Sequence, residues 1–109
     1  MKELRLLGTQ MTTFKLFYTK KADEQLDTLE CSKDKKATYK AVRKALGLME
    51  IDLKHPSLKT HKYESLQGPE GEDVFESYAQ NNTPGAYRIF WYYGPNKKQI
   101  TVLAVVPHP

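Results

Sequence analysis

Residues 86–106 read AYRIFWYYGPNKKQITVLAVV, and this stretch decides the fold. Tyr87, Ile89, Trp91 and Tyr93 alternate with Arg88, Phe90 and Tyr92, the period of a strand with two distinct faces. A second strand-forming run covers Gln99 to Val106, and Gly94-Pro95-Asn96-Lys97-Lys98 between the two has the composition of a hairpin turn. Immediately upstream, Asp73 to Ala79 has strand character of its own, joined to Ala86–Tyr93 through Gln80–Gly85. The spacing predicts a three-strand antiparallel meander.

Working back towards the start, the period changes. Residues 34–53 place Ala41, Val42, Ala45, Leu48, Met49 and Leu53 on one side of a helix and Lys36, Lys40, Arg43, Lys44 and Glu50 on the other. A shorter helix is expected over 20–30, with Ala22, Leu26 and Leu29 inward, and Ser32 is the candidate N-cap of the longer one. His55-Pro56 stops that helix, because proline cannot continue the backbone ladder. A polar segment then runs to Glu72, with turn signals at Gly68-Pro69 and Gly71. Before the helices, Phe14, Leu16 and Tyr18 alternate with Lys15 and Phe17 in a strand over 13–19. The order strand, helix, helix, meander is an α+β fold, with a two-helix hairpin packed on one face of a single sheet and nothing assigned to cover the other. Residues 13–109 form the expected domain and 1–12 an N-terminal extension, within which Met11 is a candidate start.

The chain has 109 residues, enough for one core. Its apolar runs are too short to span a bilayer. The single cysteine, Cys31, has no partner for an internal disulfide, which points to a reducing, cytoplasmic setting. His55, His61 and His108 lack the spacing of a metal site, so neither metal nor other cofactor is expected.

Charge is segregated more than its net +4 conveys. Nine lysines and arginines between Ser32 and Lys62 face three acids, whereas Tyr63 to Ala79 holds five acids and no lysine or arginine. The basic set (Lys36, Lys40, Arg43, Lys44, Lys59, Lys62) is either a surface for a polyanion or a solvated helix face. Arg88 lies in the most apolar strand and must find an anion or a route to water. Two answers are open: an ion pair with Glu76 on the neighbouring strand, or a phosphate held on the uncovered face. His108, between Pro107 and Pro109, has the chemistry of a general acid, and Glu64 in Glu64-Ser65-Leu66-Gln67-Gly68 is a third candidate.

The string Ala86 to Tyr93, the turn, Ile100 to His108 and the opening Phe14 to Ala22 together resemble the RelE/ParE toxin superfamily over residues 13 to 109. The resemblance implies a toxin of a type II toxin-antitoxin system, held by a cognate antitoxin, that cleaves messenger RNA on the ribosome. By the same resemblance Arg88 matches the arginine that steadies the scissile phosphate, His108 the C-terminal histidine that protonates the leaving oxygen, and Glu64 the general base of the YoeB-like branch. The chain departs from the pattern where Glu76, Ser77 and Tyr78 stand in place of the lysine or arginine common in RNA-cleaving members, making Glu76 and Tyr78 possible contributors of a different kind. The ParE branch, which poisons DNA gyrase, and a catalytically inactive RNA- or protein-binding module share the same fold.

Overall fold

The computed structural model describes residues 13–81 and 83–108; the expected extension over 1–12, Met11 included, and Pro109 lie outside them. Strand β1 (Lys15–Tyr18) leads into helix α1 (Lys20–Cys31), and after a 3-10 turn at Lys33–Lys35 comes helix α2 (Lys36–Ile51). A second 3-10 turn (Pro56–Leu58) precedes β2 (His61–Gln67), β3 (Asp73–Tyr78), β4 (Tyr87–Tyr93) and β5 (Gln99–Pro107). The five strands form one sheet in the order β1-β5-β4-β3-β2. Only β1 pairs in parallel, against β5; the other neighbours are antiparallel.

The α+β class and its order match the expectation, and the meander has one strand more. Residues 61–67 read HKYESLQ and are exposed except at Tyr63, which is partly buried, so they carry no hydrophobic alternation to signal a strand. As an edge strand, β2 is held by backbone pairing and by isolated contacts such as Tyr63 against the Phe90 ring, 4.8 Å between centroids. Lys59 turns the chain into it at φ 46, the left-handed region that a non-glycine residue seldom enters.

Thr19 fixes the start of α1: its hydroxyl accepts from the Ala22 amide at 3.1 Å and donates to the Leu103 carbonyl at 3.1 Å, which ties the helix to β5. Ser32 does not cap α2. Its hydroxyl donates to the Asp34 carboxylate at 3.0 Å, α2 begins at Lys36, and no side chain caps it. That bond is the main reason the Asp34 carboxyl is held below its ordinary range.

The helices bury Leu26, Leu29, Val42, Leu46 and Met49 against Ile89, Trp91, Ile100, Val102 and Val105. Trp91 is fully buried, stacks on Phe75 at 5.0 Å and donates its indole N–H to Ser77 Oγ at 2.9 Å. Ser77 Oγ pairs in turn with Thr60 Oγ1 at 2.7 Å, so the one polar atom of the largest core side chain is satisfied.

Strand alternation sends Phe75, Ser77, Ile89 and Trp91 to the helix side and Val74, Glu76, Tyr78, Arg88 and Phe90 to the other. That second face is not bare. Val74, Glu76, Arg88 and Phe90 are all buried on it, because the added edge strand and the side chains of the face itself close over them.

Candidate functional site

Three basic side chains converge on the helix-free face, and a buried carboxylate joins them. Glu76 projects from the middle of β3 with a side chain only 4% exposed. Its Oε1 lies 2.8 Å from His61 Nε2, and its Oε2 lies 3.5 Å from Arg88 Nε and 3.6 Å from His108 Nδ1. Each element delivers its residue by register. Antiparallel pairing of β2 on β3 seats His61 opposite Glu76. His108, just past β5, is pinned by its amide donating to the Ala86 carbonyl at 2.7 Å.

Arg88 is on the face expected of it, away from the helices, but it is not an open fork. Its side chain is 8% exposed. Nη1 donates to the carbonyl of Gln80 at 2.8 Å and of Tyr87 at 3.3 Å, and the guanidinium carbon sits 3.5 Å from the Tyr78 ring centroid. The anion nearest it is Glu76, so the ion-pair alternative is realised in the structure. Among the described residues Glu76 Oε2 and Arg88 Nε are buried without a hydrogen-bond partner. A carboxylate and a guanidinium so close, with a donor and an acceptor still unsatisfied, form a charged centre with unused hydrogen-bonding capacity.

The two imidazoles are the accessible part. His61 is 48% and His108 50% exposed, and they flank the buried pair. His61 Nδ1 faces the Lys59 carbonyl at 2.8 Å. His108 turns Nδ1 towards Glu76, which leaves its Nε2 as the nitrogen free to exchange a proton with a ligand. The Lys59 ammonium stands 5.6 Å over the Tyr78 ring and adds positive charge at the rim. Arg88, His108, Glu76, Tyr78 and Lys59 are thus brought together.

Glu64 is not brought to them. Its side chain is 80% exposed and 4.0 Å from Lys62 Nζ, and Lys62 opposes Phe75 on the helix side of the sheet. Lys62 also pairs with Asp73 at 3.4 Å, so its charge is partly answered within the chain. Lys36, Lys40, Arg43 and Lys44 are exposed along α2, and Lys44 lines a groove of about 250 Å³ that Tyr78 and Gln80 border. His61 is the residue that sequence reasoning passed over. The available signal was the Gly68-Pro69 turn, about which an antiparallel hairpin carries His61 to Glu76.

Chemically, the arrangement provides proton donors and acceptors beside a fixed positive charge, which suits an anionic ester more than a metal ion. Among the described residues no group of three or more His, Cys, Asp or Glu side chains is arranged to hold a metal, and no helix is long and apolar enough to cross a membrane.

No protein-family model matches the chain, and no curated protein sequence does. Solved structures do match. The chain is similar to the archaeal RelE-RelB complex from Pyrococcus horikoshii OT3, at 18% identity and TM-score 0.58, over 87% of this chain and 94% of that one. It is similar to a YoeB/ParE toxin from Agrobacterium tumefaciens, at 9% identity and TM-score 0.63, over 88% of this chain and 100% of the other. A YoeB dimer from Staphylococcus aureus matches at 11% identity and TM-score 0.58, over 89% and 99% of the two chains. At these identities the likeness speaks for architecture, and on that ground the chain has the fold of the RelE/YoeB/ParE toxin superfamily.

Proposed function

We propose that this chain is the toxin of a type II toxin-antitoxin system, a ribosome-dependent, metal-independent endoribonuclease acting on messenger RNA in the cytoplasm. The observation that carries the reading is the meeting of Arg88 and His108 on one carboxylate, at 3.5 and 3.6 Å from Glu76 Oε2, on the face of the sheet that the helices leave free.

In this reaction a 2′-oxygen of the RNA attacks the adjacent phosphorus in line. The P–O5′ bond breaks, leaving a 2′,3′-cyclic phosphate and a 5′-hydroxyl. His108, whose Nδ1 lies 3.6 Å from Glu76 Oε2, gives a proton from Nε2 to the departing 5′-oxygen. Arg88 supplies fixed positive charge beneath the phosphate, and its seat beside Glu76 is the resting arrangement. Glu64, the base that the resemblance assigns, is an exposed carboxylate of β2 that stands apart from the Glu76 centre, and it takes the proton of the 2′-OH only where RNA bound along the edge strand carries the ribose to it. A well-placed proton-transfer group contributes about 10²- to 10⁴-fold. Lys36, Lys40, Arg43, Lys44, Lys59 and Lys62 line up along ribosomal and messenger RNA phosphates. A cognate antitoxin is the protein partner.

The test is expression of the chain in growing cells, with primer extension on cellular messages and analysis of the new ends. Cleavage with 5′-hydroxyl ends, lost in His108→Gln with the fold unchanged, is the expected result. Growth arrest undiminished in His108→Gln, without new message ends, moves the reading to gyrase inhibition of the ParE kind. Full cleavage in Glu64→Gln transfers the base to Glu76. A stable chain that neither arrests growth nor cuts RNA is an inactive binding module. The extensive internal bonding of Arg88, to two carbonyls and a carboxylate, is what favours that last reading.

A further inference from the structure

We propose that His61 is a positioning residue of this centre, acting on His108 through Glu76, so that the two imidazoles and the carboxylate between them take up and release protons as one unit.

Both ring nitrogens of His61 have partners. Nδ1 faces the Lys59 carbonyl oxygen at 2.8 Å and Nε2 faces Glu76 Oε1 at 2.8 Å. A carbonyl oxygen only accepts, and so does an ionised carboxylate. Both bonds hold together only when both ring nitrogens carry hydrogen, or when the proton between Nε2 and Oε1 rests on the oxygen. In either case His61 and Glu76 share one proton more than a neutral imidazole and a carboxylate would. With both nitrogens occupied, His61 has none left for RNA, which makes its role one of positioning.

The consequence falls on His108. The bond to Oε1 fixes the carboxylate so that Oε2 is the oxygen turned to His108 Nδ1, 3.6 Å away. The proton shared at Oε1 also weakens the negative charge that favours a proton on His108. The groups facing the pair are few: Glu76 and Tyr78 from β3, the Tyr78 ring 6.1 Å from that of His61; Arg88 from β4; His108 beyond β5; and Lys59 before β2. On its own strand, Lys62 and Glu64 pair with each other, and Lys62 with Asp73. Of these, Glu76 is the anion that meets both imidazoles, so protonation of one ring opposes protonation of the other. The effect on cleavage rests on the nuclease reading; the coupling does not.

The experiment follows the ring nitrogens and protons of both histidines by NMR through a pH titration of the full chain, in the unaltered protein and in His61→Gln, His108→Gln and Glu76→Gln. The glutamine amide at position 61 can still donate to Oε1, so this variant removes the charge and keeps the bond. His61→Gln is expected to raise the His108 midpoint by about half a pH unit, the size for two unit charges a carboxylate apart near solvent. By reciprocity, His108→Gln raises the His61 midpoint by the same amount. Glu76→Gln lowers both midpoints. Midpoints that stay put in both single-histidine variants overturn the proposal, as does a shift in one without the other. In cleavage assays on translating ribosomes, the limb of the pH profile that depends on His108 moves with its NMR midpoint in His61→Gln. His61→Ala, lacking the bond as well, loses kcat with little change in KM, and glutamine restores part of it. Coupled midpoints in a protein that cuts no RNA retire the nuclease reading and leave the coupling standing; cleavage with uncoupled midpoints does the reverse.

Discussion

Glu76 meets Arg88 along a diagonal of the β3–β4 ladder. The register seats Arg88 opposite Tyr78 and Glu76 opposite Phe90, yet Arg88 Nε reaches back to within 3.5 Å of Glu76 Oε2. The guanidinium carbon passes over the Tyr78 ring on the way, 3.5 Å from its centroid. That path gives the buried cation an aromatic face, two carbonyls and a carboxylate, the combination a charge needs to persist away from water.

Breaking this pair from one side is therefore costly. Glu76→Ala leaves the Arg88 guanidinium buried without its counter-ion and is expected to lower unfolding stability by about 3–5 kcal/mol. Replacing both partners with methionine removes the stranded charge and recovers most of the loss. Urea unfolding of the single and double variants measures both, and a Glu76→Ala protein of unchanged stability shows that Arg88 gains no stability from the carboxylate.

Ser77→Ala removes the acceptor for the indole N–H of Trp91 at a fully buried position. An unsatisfied buried donor costs about 1–3 kcal/mol, and Thr60 loses its hydroxyl partner as well. Because Ser77 lies on the helix side of the sheet, opposite in facing to Glu76, RNA cleavage by the variant should be unchanged below its lowered unfolding temperature. Thermal unfolding beside a cleavage assay checks both halves.

How far the molecule could be read beforehand divides along the same sheet. Strands β4 and β5 were legible because Ile89, Trp91, Ile100 and Val102 are packed by helices, and such packing writes a period into the sequence. The same holds for α2, although Leu46, buried beside Ala45, sits outside the stripe drawn from spacing alone. Strand β2 left no such trace. Its pairing runs through backbone groups, which every residue carries, and its register is irregular between Lys62 and Gln67. With β2 read as a loop, His61 had no address and Glu64 had no facing. Arg88, Glu76 and His108 were legible as anomalies, a charge in an apolar strand, an acid where a base is common and an imidazole at the end of the last strand. Their meeting point depends on the diagonal reach of Arg88, which no spacing encodes.

The alkaline limb of stability should carry a tyrosine signature. Burial pushes the Tyr18 hydroxyl above its ordinary value; Arg43 opposes this, and Glu50 and Asp23 add to the rise. The neutral phenol is the form the fold favours. Below about pH 10 the phenol is neutral in both states and titration of Tyr18 costs the fold nothing; above it the unfolded chain loses its proton first and stability falls. Tyr18→Phe is expected to flatten the decline of unfolding free energy above about pH 10, the ordinary tyrosine value. Tyr93, raised by burial too, keeps part of the slope in that variant. An unaltered slope in the double Tyr18→Phe, Tyr93→Phe protein removes both from the account.

The basic face of α2 is best judged by salt. Lys36, Lys40, Arg43 and Lys44 are exposed, and such a face is either an RNA surface or a wet one. If it contacts phosphates, binding to ribosomes releases condensed counter-ions, and the logarithm of affinity falls with the logarithm of salt by about 0.7 to 0.9 per phosphate contacted. Replacing Lys40 and Lys44 with alanine should then weaken binding at low salt and reduce that slope by roughly 1.5 for the pair. Neither residue belongs to the Glu76 centre, so the cleavage rate of bound message at saturating ribosomes should hold. A slope identical in the two proteins assigns these lysines to solvent, and the RNA must then be gripped nearer the imidazoles, where Lys59 stands over Tyr78.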